Sequence, residues 1–375
     1  MGGSVKKVLK RVYIESMRNF RMKTLWITLT LFSMFFGAGN LIFAPFLGKE
    51  AGSQSAVALL GFLCTAVLMP IITILVLSKF KDGYSMLARI SKPFALFFIG
   101  LIYLLIGPCI AIPRTATTSY EMLGWLLPAN IWSQLLYSAF FFMGAYFVAL
   151  HPSHLKDVLG KWLSPILLVL VIVLCASALF SPSQIASPSL EYLNHSFAKG
   201  IKEGYQTMDI LAAYCFGNVI LLNIQSEGIV KKQEVRKTLL FASVGAGVLL
   251  AGLYSLLAMS GMLHSYDLRA CTNGAQILTE LAGRSFGLFG NVLVSLIFLI
   301  ACFNVCSGLL SCVSSYFAQR IPSCSYRAWL ILFALFSAAL SIFGLDSILA
   351  ISAPILNVLC PIAIFFVLYG IVQKP

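Results

Sequence analysis

Ten long apolar runs dominate this sequence and most strongly constrain what the chain can fold into. They lie near residues 24–48, 55–78, 94–120, 128–150, 161–180, 204–225, 238–263, 286–318, 326–344 and 347–371. A helix needs roughly 20 apolar residues to cross the hydrocarbon core of a bilayer, so each run is long enough to span a membrane. We therefore predict an all-α polytopic membrane protein with ten transmembrane helices, numbered here span 1 to span 10.

The composition agrees with this prediction and excludes an ordinary soluble domain. Hydrophobic residues make up 59% of the chain and charged residues only 10%, whereas soluble domains carry about 25% charged residues. The basic N-terminal segment leads into an apolar run that is too long for a signal peptide and has no small-residue cleavage site, so we expect this run to remain as span 1. Residues 1–23 are predicted to be a basic cytoplasmic tail, and Met1 and Met22 are both open as the start.

The distribution of basic residues predicts how the chain is oriented. With a cytoplasmic N-terminus, 20 of the 26 Lys and Arg residues lie in cytoplasmic segments, 5 lie outside, and Arg114 lies within span 3. Such an excess is typical of cytoplasmic loops. We expect a multi-pass protein of the plasma membrane with both termini in the cytoplasm. Because topology accounts for the net charge of +13, membrane lipid is an expected partner and nucleic acid is not.

No cofactor and no resident metal is expected. The ten cysteines are scattered through apolar runs without a C-x-x-C pair, which indicates small buried residues rather than disulfides or metal ligands. The four histidines lie near predicted loops without metal-ligand spacing. The sequence also lacks the G-x-x-x-x-G-K-[ST] phosphate-binding loop, so ATP is not an expected energy source.

Two of the predicted spans contain residues that interrupt a helix. Span 1 carries two glycines, an asparagine and a proline within residues 37–45, and span 6 carries a matching stretch within residues 205–218. Glycine weakens a helix and proline removes a backbone donor. An unsatisfied backbone group in lipid costs several kcal/mol, so such breaks persist only against protein, water or a ligand.

The two interruptions occupy corresponding positions in two halves of five helices. Because five is odd, the second half enters the membrane from the opposite side, as in the inverted repeats of secondary transporters, whose substrates bind at the midplane between broken helices. We therefore predict a five-plus-five inverted repeat, with residues 24–182 and 183–375 as the two repeats. Each interruption taken singly is also typical of close helix packing, which is the alternative.

Three segments of the sequence resemble a known family. They are Phe36–Gly48 (FGAGNLIFAPFLG), Gly107–Glu121 (GPCIAIPRTATTSYE) and Gly204–Gly217 (GYQTMDILAAYCFG). In this order, and over essentially the whole chain, the sequence is similar to the bacterial branched-chain amino acid:cation symporters of BrnQ type, within the amino acid-polyamine-organocation superfamily. The resemblance implies a leucine transporter-like fold with spans 1 and 6 broken. It also implies uptake of Leu, Ile and Val across the bacterial inner membrane with sodium or a proton.

The resemblance further implies where substrate and ion bind. The expected substrate-binding residues are Gly37, Ala38, Gly39 and Asn40 in the unwound part of span 1, with Phe216, Gly217 and Asn218 opposite them in span 6. Phe43 and Phe216 are candidate apolar walls, because a leucine-type substrate has a branched apolar tail.

The expected ion ligands are Ala38, Ala301 and Asn304, and the transported ion is the only metal expected. Family members usually have two threonines where this chain has Asn304 and Val305. Asn304 still offers an oxygen, but valine cannot coordinate, so sodium coupling at this position stays open. Members also commonly continue for two further helices, so a ten-helix core and a truncated chain are both open.

Two ionisable residues lie within predicted spans, Arg114 in span 3 and Asp209 in span 6. A buried charge at the centre of a span costs at least ~2.5 kcal/mol and should face a partner or water. We predict that these residues line the outward vestibule and pair across it as a gate or structural clamp. Alternatively, Arg114 caps free carbonyl groups or extends to the outer interface.

Secondary active transport of a small amino acid by alternating access is therefore the predicted function, with the monomer as the functional unit. A polytopic membrane enzyme acting on a lipid or small amphiphile is the alternative. Such an enzyme needs several acid, base or nucleophilic groups near one interface, and a channel needs a continuous polar pore. The sequence indicates neither, so no enzymatic activity and no catalytic residues are expected.

Overall fold

The fold is a bundle of helices, with no strand among the residues that the structure describes. The computed structural model describes residues 21–80, 82–128, 130–151, 156–180 and 183–373, without the side chains of Lys156 and Asn218. The predicted basic tail therefore lies outside the described residues except for residues 21–23.

The spans follow one another along the chain, joined by short segments. Their bounds are 21–35 and Ala38–Ala51 for span 1; Ser55–Leu63, Cys64–Leu68 and Met69–Leu77 for span 2; Lys92–Leu104, Leu105–Cys109 and Ala111–Glu121 for span 3; Ile131–Ala149 for span 4; Lys156–Leu163 and Ser164–Phe180 for span 5; Leu190–Gln206 and Asp209–Ser226 for span 6; Lys232–Leu263 for span 7; Leu288–Arg320 for span 8; Tyr326–Leu340 for span 9; and Leu345–Val372 for span 10. Short connecting helices cover Gly52–Gln54, Gly83–Leu87, Gly274–Phe286 and Ser341–Phe343.

Eight continuous helical stretches of the described chain are long and apolar enough to cross a membrane. One of them, Ala38–Leu77, contains both the second half of span 1 and the whole of span 2. The two halves of span 6, with 17 and 18 residues, are not among the eight. The eight stretches therefore correspond to nine spans, the broken span 6 is the tenth, and the predicted breaks in spans 1 and 6 are confirmed.

Three features differ from the sequence predictions. Span 6 begins at Leu190 rather than near residue 204, because its first half is a largely polar helix that a search for apolar runs does not detect. The helix Gly274–Phe286 lies between spans 7 and 8, where no helix was expected. Span 3 is also interrupted, at Gly107 (φ −81°, ψ −121°), because a proline disfavours the helical conformation of the residue before it.

Spans 3 and 8 lie at the centre of the bundle and span 4 lies at its edge. In the most apolar part of each helix, 61% of the residues are buried in spans 3 and 8, against 22% in span 4. Span 4 accordingly exposes Trp132, Phe140 and Phe147. A membrane helix can expose such side chains because lipid takes the place of a protein partner. The most buried part of the protein therefore lies around spans 3 and 8.

Glycines let spans 1 and 7 approach each other closely. A methyl group added at Gly48 would lie 1.9 Å from the carbonyl oxygen of Ala258, and one added at Gly261 would lie 2.1 Å from that of Pro45. Each helix thus presents a glycine to a backbone carbonyl of the other. Small residues at such positions are the usual means of close packing between membrane helices.

Spans 2 and 6 show the same reciprocal arrangement. A methyl group at Gly61 would lie 2.2 Å from the carbonyl oxygen of Phe197, and one at Gly200 would lie 1.9 Å from that of Ala58. The two pairs also contact each other, so one closely packed unit contains the second half of span 1, span 2, the first half of span 6 and span 7. These four segments are called the four-helix unit below.

Replacing the contact glycines should destabilise this unit. We expect Gly48→Ala and Gly261→Ala each to lower stability by about 1–3 kcal/mol, because a methyl group forced against a backbone carbonyl must push two helices apart. The measurement is the thermal unfolding midpoint of the purified protein in detergent.

Gly252→Ala in span 7 is the matched control. A methyl group there would meet nothing within 4 Å, so the midpoint should stay unchanged or rise slightly, since alanine is the better helix former. An equal loss of stability in all three variants would show that close packing is not the cause.

Candidate functional site

Span 1 is interrupted at Phe36 and Gly37. Neither residue is helical, and Gly37 is extended (φ −129°, ψ −161°). The second half of the span begins at Ala38, so Ala38, Gly39 and Asn40 lie in a helix and not in the unwound part expected for them. The backbone N–H of Gly37 donates a hydrogen bond to Oδ1 of Asn40 at 3.0 Å. The side chain of Asn40 thus satisfies a buried backbone donor at the break.

Span 6 is interrupted at Thr207 and Met208. Met208 adopts the left-handed conformation (φ 65°, ψ 8°), and no other non-glycine residue among those described has a positive φ. Such a backbone costs roughly 1–3 kcal/mol and persists only where the surroundings enforce it. The sequence analysis extends the interruption to Gly217 and Asn218, but both lie within the continuous helix Asp209–Ser226. Packing by neighbouring helices can override the weak helix propensity of a single glycine.

The two breaks face one small enclosed cavity. It is lined by residues 37–40 of span 1, residues 207–209 of span 6, and side chains of spans 3 and 8 that include Arg114 and Val305. Its volume is about 20 Å³, enough for about one water molecule and far too small for an amino acid. The walls must therefore move apart before a substrate of that size can bind.

Asn40 connects the two breaks through Asp209. Its Nδ2 donates to Oδ2 of Asp209 at 2.7 Å and also to the hydroxyl oxygen of Tyr254 in span 7. The hydroxyl of Tyr254 donates to the same carboxylate oxygen at 3.3 Å. All three side chains are buried. Because leaving a buried acceptor without a donor is costly, these bonds hold Asp209 in one position.

Arg114 reaches the same cavity from span 3. Its Nη1 donates to the carbonyl oxygen of Gln206 at 3.0 Å, at the end of the first half of span 6. Its Nη2 lies beside Gly39, where an added methyl group would be 2.8 Å away. Arg114 and Asp209 thus line one cavity, while each bonds to other groups. The bond to Gln206 agrees with the capping alternative, and the role of a gate or clamp stays a prediction.

A second, larger cavity opens on the side of the protein where span 1 ends. Its volume is about 330 Å³, and it is lined by Phe43, Phe46, Lys199, Lys202, Glu203, Gln206, Leu349, Ala353 and Asn357. We call it the vestibule. The Nε2 of Gln206 donates to Oδ1 of Asn357 in span 10 at 3.4 Å. Both of these residues line the vestibule, and Thr207, next to Gln206 in the chain, lines the enclosed cavity.

Span 8 contributes an asparagine whose side chain has no hydrogen-bond partner among the described residues. Asn304 is fully buried, yet neither Oδ1 nor Nδ2 bonds to any group in that part of the chain. Its neighbours on the helix contact span 1, with Val305 against Gly37 and Gly308 against Met34. Because buried polar groups nearly always have a partner, the amide of Asn304 is available to a ligand. Ala301, one turn earlier, is also fully buried.

The structure brings six predicted site residues to the enclosed cavity: Gly37, Ala38, Gly39, Asn40, Arg114 and Asp209. Phe43 lines the vestibule instead. Phe216 packs behind Phe35, with the ring centres 5.1 Å apart, and Gly217 lines a separate small cavity beside Asp82. The side chain of Asn218 lies outside the described residues.

Tyr254 is the site residue that sequence reasoning missed. It lies in a long apolar helix, and no proline or charge marks its position. One signal was present, because a tyrosine within a membrane span needs a partner for its hydroxyl group. The identity of that partner depends on the packing of span 7 against span 1, which the sequence does not reveal.

The arrangement suits a small molecule with a carboxylate and an apolar tail. The helices Ala38–Ala51 and Asp209–Ser226 both begin at the cavity. The first N–H groups of a helix have no partner within the helix and carry partial positive charge, which attracts a carboxylate. Ile106, Val305 and Leu309 supply apolar walls.

Replacing Asn40 should cost more than replacing Tyr254. Asn40→Ala leaves the N–H of Gly37 without its acceptor and removes a donor from Asp209, so we expect a loss of about 2–5 kcal/mol. Tyr254→Phe removes one hydroxyl group and should cost about 0.5–1.5 kcal/mol. Thermal unfolding in detergent measures both, and a larger loss for Tyr254→Phe would contradict the role assigned to Asn40.

Comparison with known proteins identifies the family. Residues 20–375 match the sequence profile described as branched-chain amino acid transport protein. The chain is 36% identical over 346 residues to the branched-chain amino acid permease BrnQ of Bacillus subtilis (strain 168), covering 90% of this chain and 78% of the relative. It is 35% identical over 372 residues to a protein of Staphylococcus aureus (strain MRSA252) named as a branched-chain amino acid carrier, covering 94% and 83%.

Solved structures show the fold. The structure is similar to that of MhsT in complex with L-phenylalanine, with a TM-score of 0.62 and 18% identity over 92% of this chain and 87% of the other. It is also similar to Mhp1, a nucleobase-cation-symport-1 family transporter in a closed conformation with bromovinylhydantoin bound, with a TM-score of 0.57 and 13% identity over 92% and 77%. The predicted leucine transporter-like fold is therefore confirmed.

The family and the relatives are transport proteins, so the alternative of a membrane enzyme is not supported. On the sequence match over nearly its whole length, this chain belongs to the branched-chain amino acid transport protein family and is a multi-pass membrane transporter.

Proposed function

We propose that this transporter, acting as a monomer, takes up leucine, isoleucine and valine together with a cation, sodium or a proton, by alternating access. The observation that carries the proposal is that the breaks of spans 1 and 6 meet at one enclosed cavity. Secondary transporters of this architecture bind substrate and coupling ion between such broken helices. The names of the relatives support branched-chain amino acids as the substrate class.

The unpartnered amide of Asn304 supports a cation site between spans 1 and 8. Its Oδ1 is the kind of hard oxygen ligand that suits sodium. The carbonyl groups at the end of helix 21–35 lack partners within that helix and are further candidates, as are the backbones of Ala38 and Ala301. One cation moving inward supplies about 2.3 kcal/mol per 100 mV, which supports roughly fortyfold accumulation of a neutral solute without ATP.

Contacts on both sides of the enclosed cavity support a closed state between two open ones. On the vestibule side, the side chain of Gln206 bonds to that of Asn357 in span 10. On the other side, Nζ of Lys23 donates to the carbonyl oxygen of Glu227 at 2.6 Å. Single hydrogen bonds contribute only about 0.5–1.5 kcal/mol, so either side can open. We infer that the four-helix unit moves against spans 3 and 8 to open each side in turn.

The orientation completes the proposal. We place both termini in the cytoplasm, because the positive-inside rule then accounts for 20 of the 26 basic residues. In this orientation the vestibule faces outward and is where the substrate enters. The helix Gly274–Phe286 then lies on the outer side.

Purified protein in liposomes should accumulate labelled leucine when a sodium or a proton gradient is imposed. We expect isoleucine and valine, but not lysine, to compete. Unlabelled leucine inside the liposomes should accelerate the entry of labelled leucine, because only a carrier exchanges solute for solute. Folded protein that shows no leucine uptake under either gradient would refute the proposed function.

Asn304→Leu should remove the dependence on the cation while leaving the protein stable. We expect the stimulation of uptake by the cation gradient to fall more than tenfold. The unfolding midpoint should not fall, because the replaced amide has no partner among the described residues to lose. Ser314→Ala in the same helix is the matched control, since its hydroxyl group is also buried without a partner in the described chain but lies about three turns away. Full cation stimulation in Asn304→Leu would contradict the assignment.

A further inference from the structure

The enclosed cavity contains one positive and one negative side chain that do not bond to each other. Arg114 and Asp209 are the ionisable residues among the described residues that line it, with exposed fractions of 4% and 3%. Arg114 bonds to a backbone carbonyl, whereas Asp209 bonds to Asn40 and Tyr254. Burying both charges carries a desolvation cost. A ligand with one charge of each sign can compensate both at once.

Arg114 retains most of its hydrogen-bonding capacity. A guanidinium group has five N–H donors, and within the described chain Arg114 uses Nη1 for its bond to Gln206. Nη2 lies beside Gly39, which lines the cavity. The planar donor fork of arginine matches the two oxygens of a carboxylate. Arg114 is therefore suited to bind the carboxylate of an amino acid.

Asp209 accepts the hydrogen bonds from Asn40 and Tyr254 on the same carboxylate oxygen. That oxygen is Oδ2, so these bonds do not occupy Oδ1. Asp209 is also the first residue of the helix Asp209–Ser226, directly after the break. An ammonium group is the natural partner of a fixed and buried carboxylate, because it supplies up to three donors and the opposite charge.

We propose that Arg114 and Asp209 bind the two charged ends of the transported amino acid, with the guanidinium on its carboxylate and the aspartate on its ammonium group. This inference rests on the proposed function and deepens it, since it assigns the selection of a free zwitterion to two side chains. The bound assembly of one arginine, one aspartate and one zwitterion has no net charge. The branched tail then contacts the apolar wall formed by Ile106, Val305 and Leu309.

Analogues that lack one charge test the assignment on the purified full-length protein. Leucinamide keeps the ammonium group and lacks the carboxylate, and 4-methylpentanoate keeps the carboxylate and lacks the ammonium group. We measure how each competes with labelled leucine for binding. In the unaltered protein both analogues should bind roughly tenfold to a hundredfold more weakly than leucine.

Each variant should lose the preference for leucine over one analogue and keep the preference for leucine over the other. Arg114→Gln should bind leucine and leucinamide with affinities within about threefold of each other, while 4-methylpentanoate stays weak. Asp209→Asn should show the reverse pattern. A purely structural role, including a direct clamp between the two residues, would lower all three affinities alike and would overturn the inference. The matched control is Arg284→Gln, which removes an exposed arginine on the helix Gly274–Phe286. It should leave the ratios between the affinities of leucine and the two analogues unchanged.

Arg114→Lys and Asp209→Glu keep the charges and serve if the first variants do not fold. Arg114→Lys should weaken the binding of leucine and leave the binding of leucinamide unchanged, because lysine keeps the charge but loses the bidentate geometry. Asp209→Glu should weaken the binding of leucine and leave the binding of 4-methylpentanoate unchanged. If either variant lost as much affinity for its paired analogue as for leucine, the inference would be overturned. The two failures are distinguishable: unaltered protein that does not bind leucine refutes the proposed function, whereas protein that binds leucine with unchanged ratios in the variants refutes only this inference.

Discussion

Backbone hydrogen bonds cannot be left open inside a bilayer, and this constraint determines how the site of the transporter is built. Span 1 stops and restarts at Gly37, and the amide of Asn40 accepts the N–H that this break releases. Span 6 stops at Gln206, and Arg114 donates to the carbonyl that its end releases. Each break is thus stabilised by a side chain that also lines the enclosed cavity. The groups that make the breaks possible are therefore the groups that a bound solute meets.

The two breaks are also linked to each other. Asn40 bonds to Gly37 with its oxygen and to Asp209 with its nitrogen, so one amide joins the restart of span 1 to the restart of span 6. Tyr254 adds span 7 to the same carboxylate. Glycine contacts such as that of Gly48 with Ala258 pack span 7 closely against span 1. A displacement of one of these helices is therefore transmitted to the others, which agrees with the movement of a single unit.

The sequence predicted the spans and the existence of the breaks better than it predicted their residues. Long apolar runs have few alternatives in a membrane protein, and a glycine marks the break in span 1, whereas Pro45 lies within the helix Ala38–Ala51. The break in span 6 falls at Thr207 and Met208, which carry no such mark, because its strained backbone is imposed by tertiary contacts. Gly217 is a residue type that weakens helices, yet it lies within a continuous helix. Likewise, the bond of Tyr254 to Asp209 depends on how span 7 packs.

Gln206 is the point at which substrate binding and closure meet. Its carbonyl oxygen accepts the bond from Arg114, and its side chain donates to Asn357 in span 10. If Arg114 binds the carboxylate of the substrate, as proposed above, the substrate contacts a side chain that is already bonded to Gln206. Because span 3 is central and the first half of span 6 belongs to the four-helix unit, that contact connects the two parts that move against each other in the proposed mechanism. An amino acid without its carboxylate would lack this contact, so recognition of the charged end and closure of the vestibule would be one event.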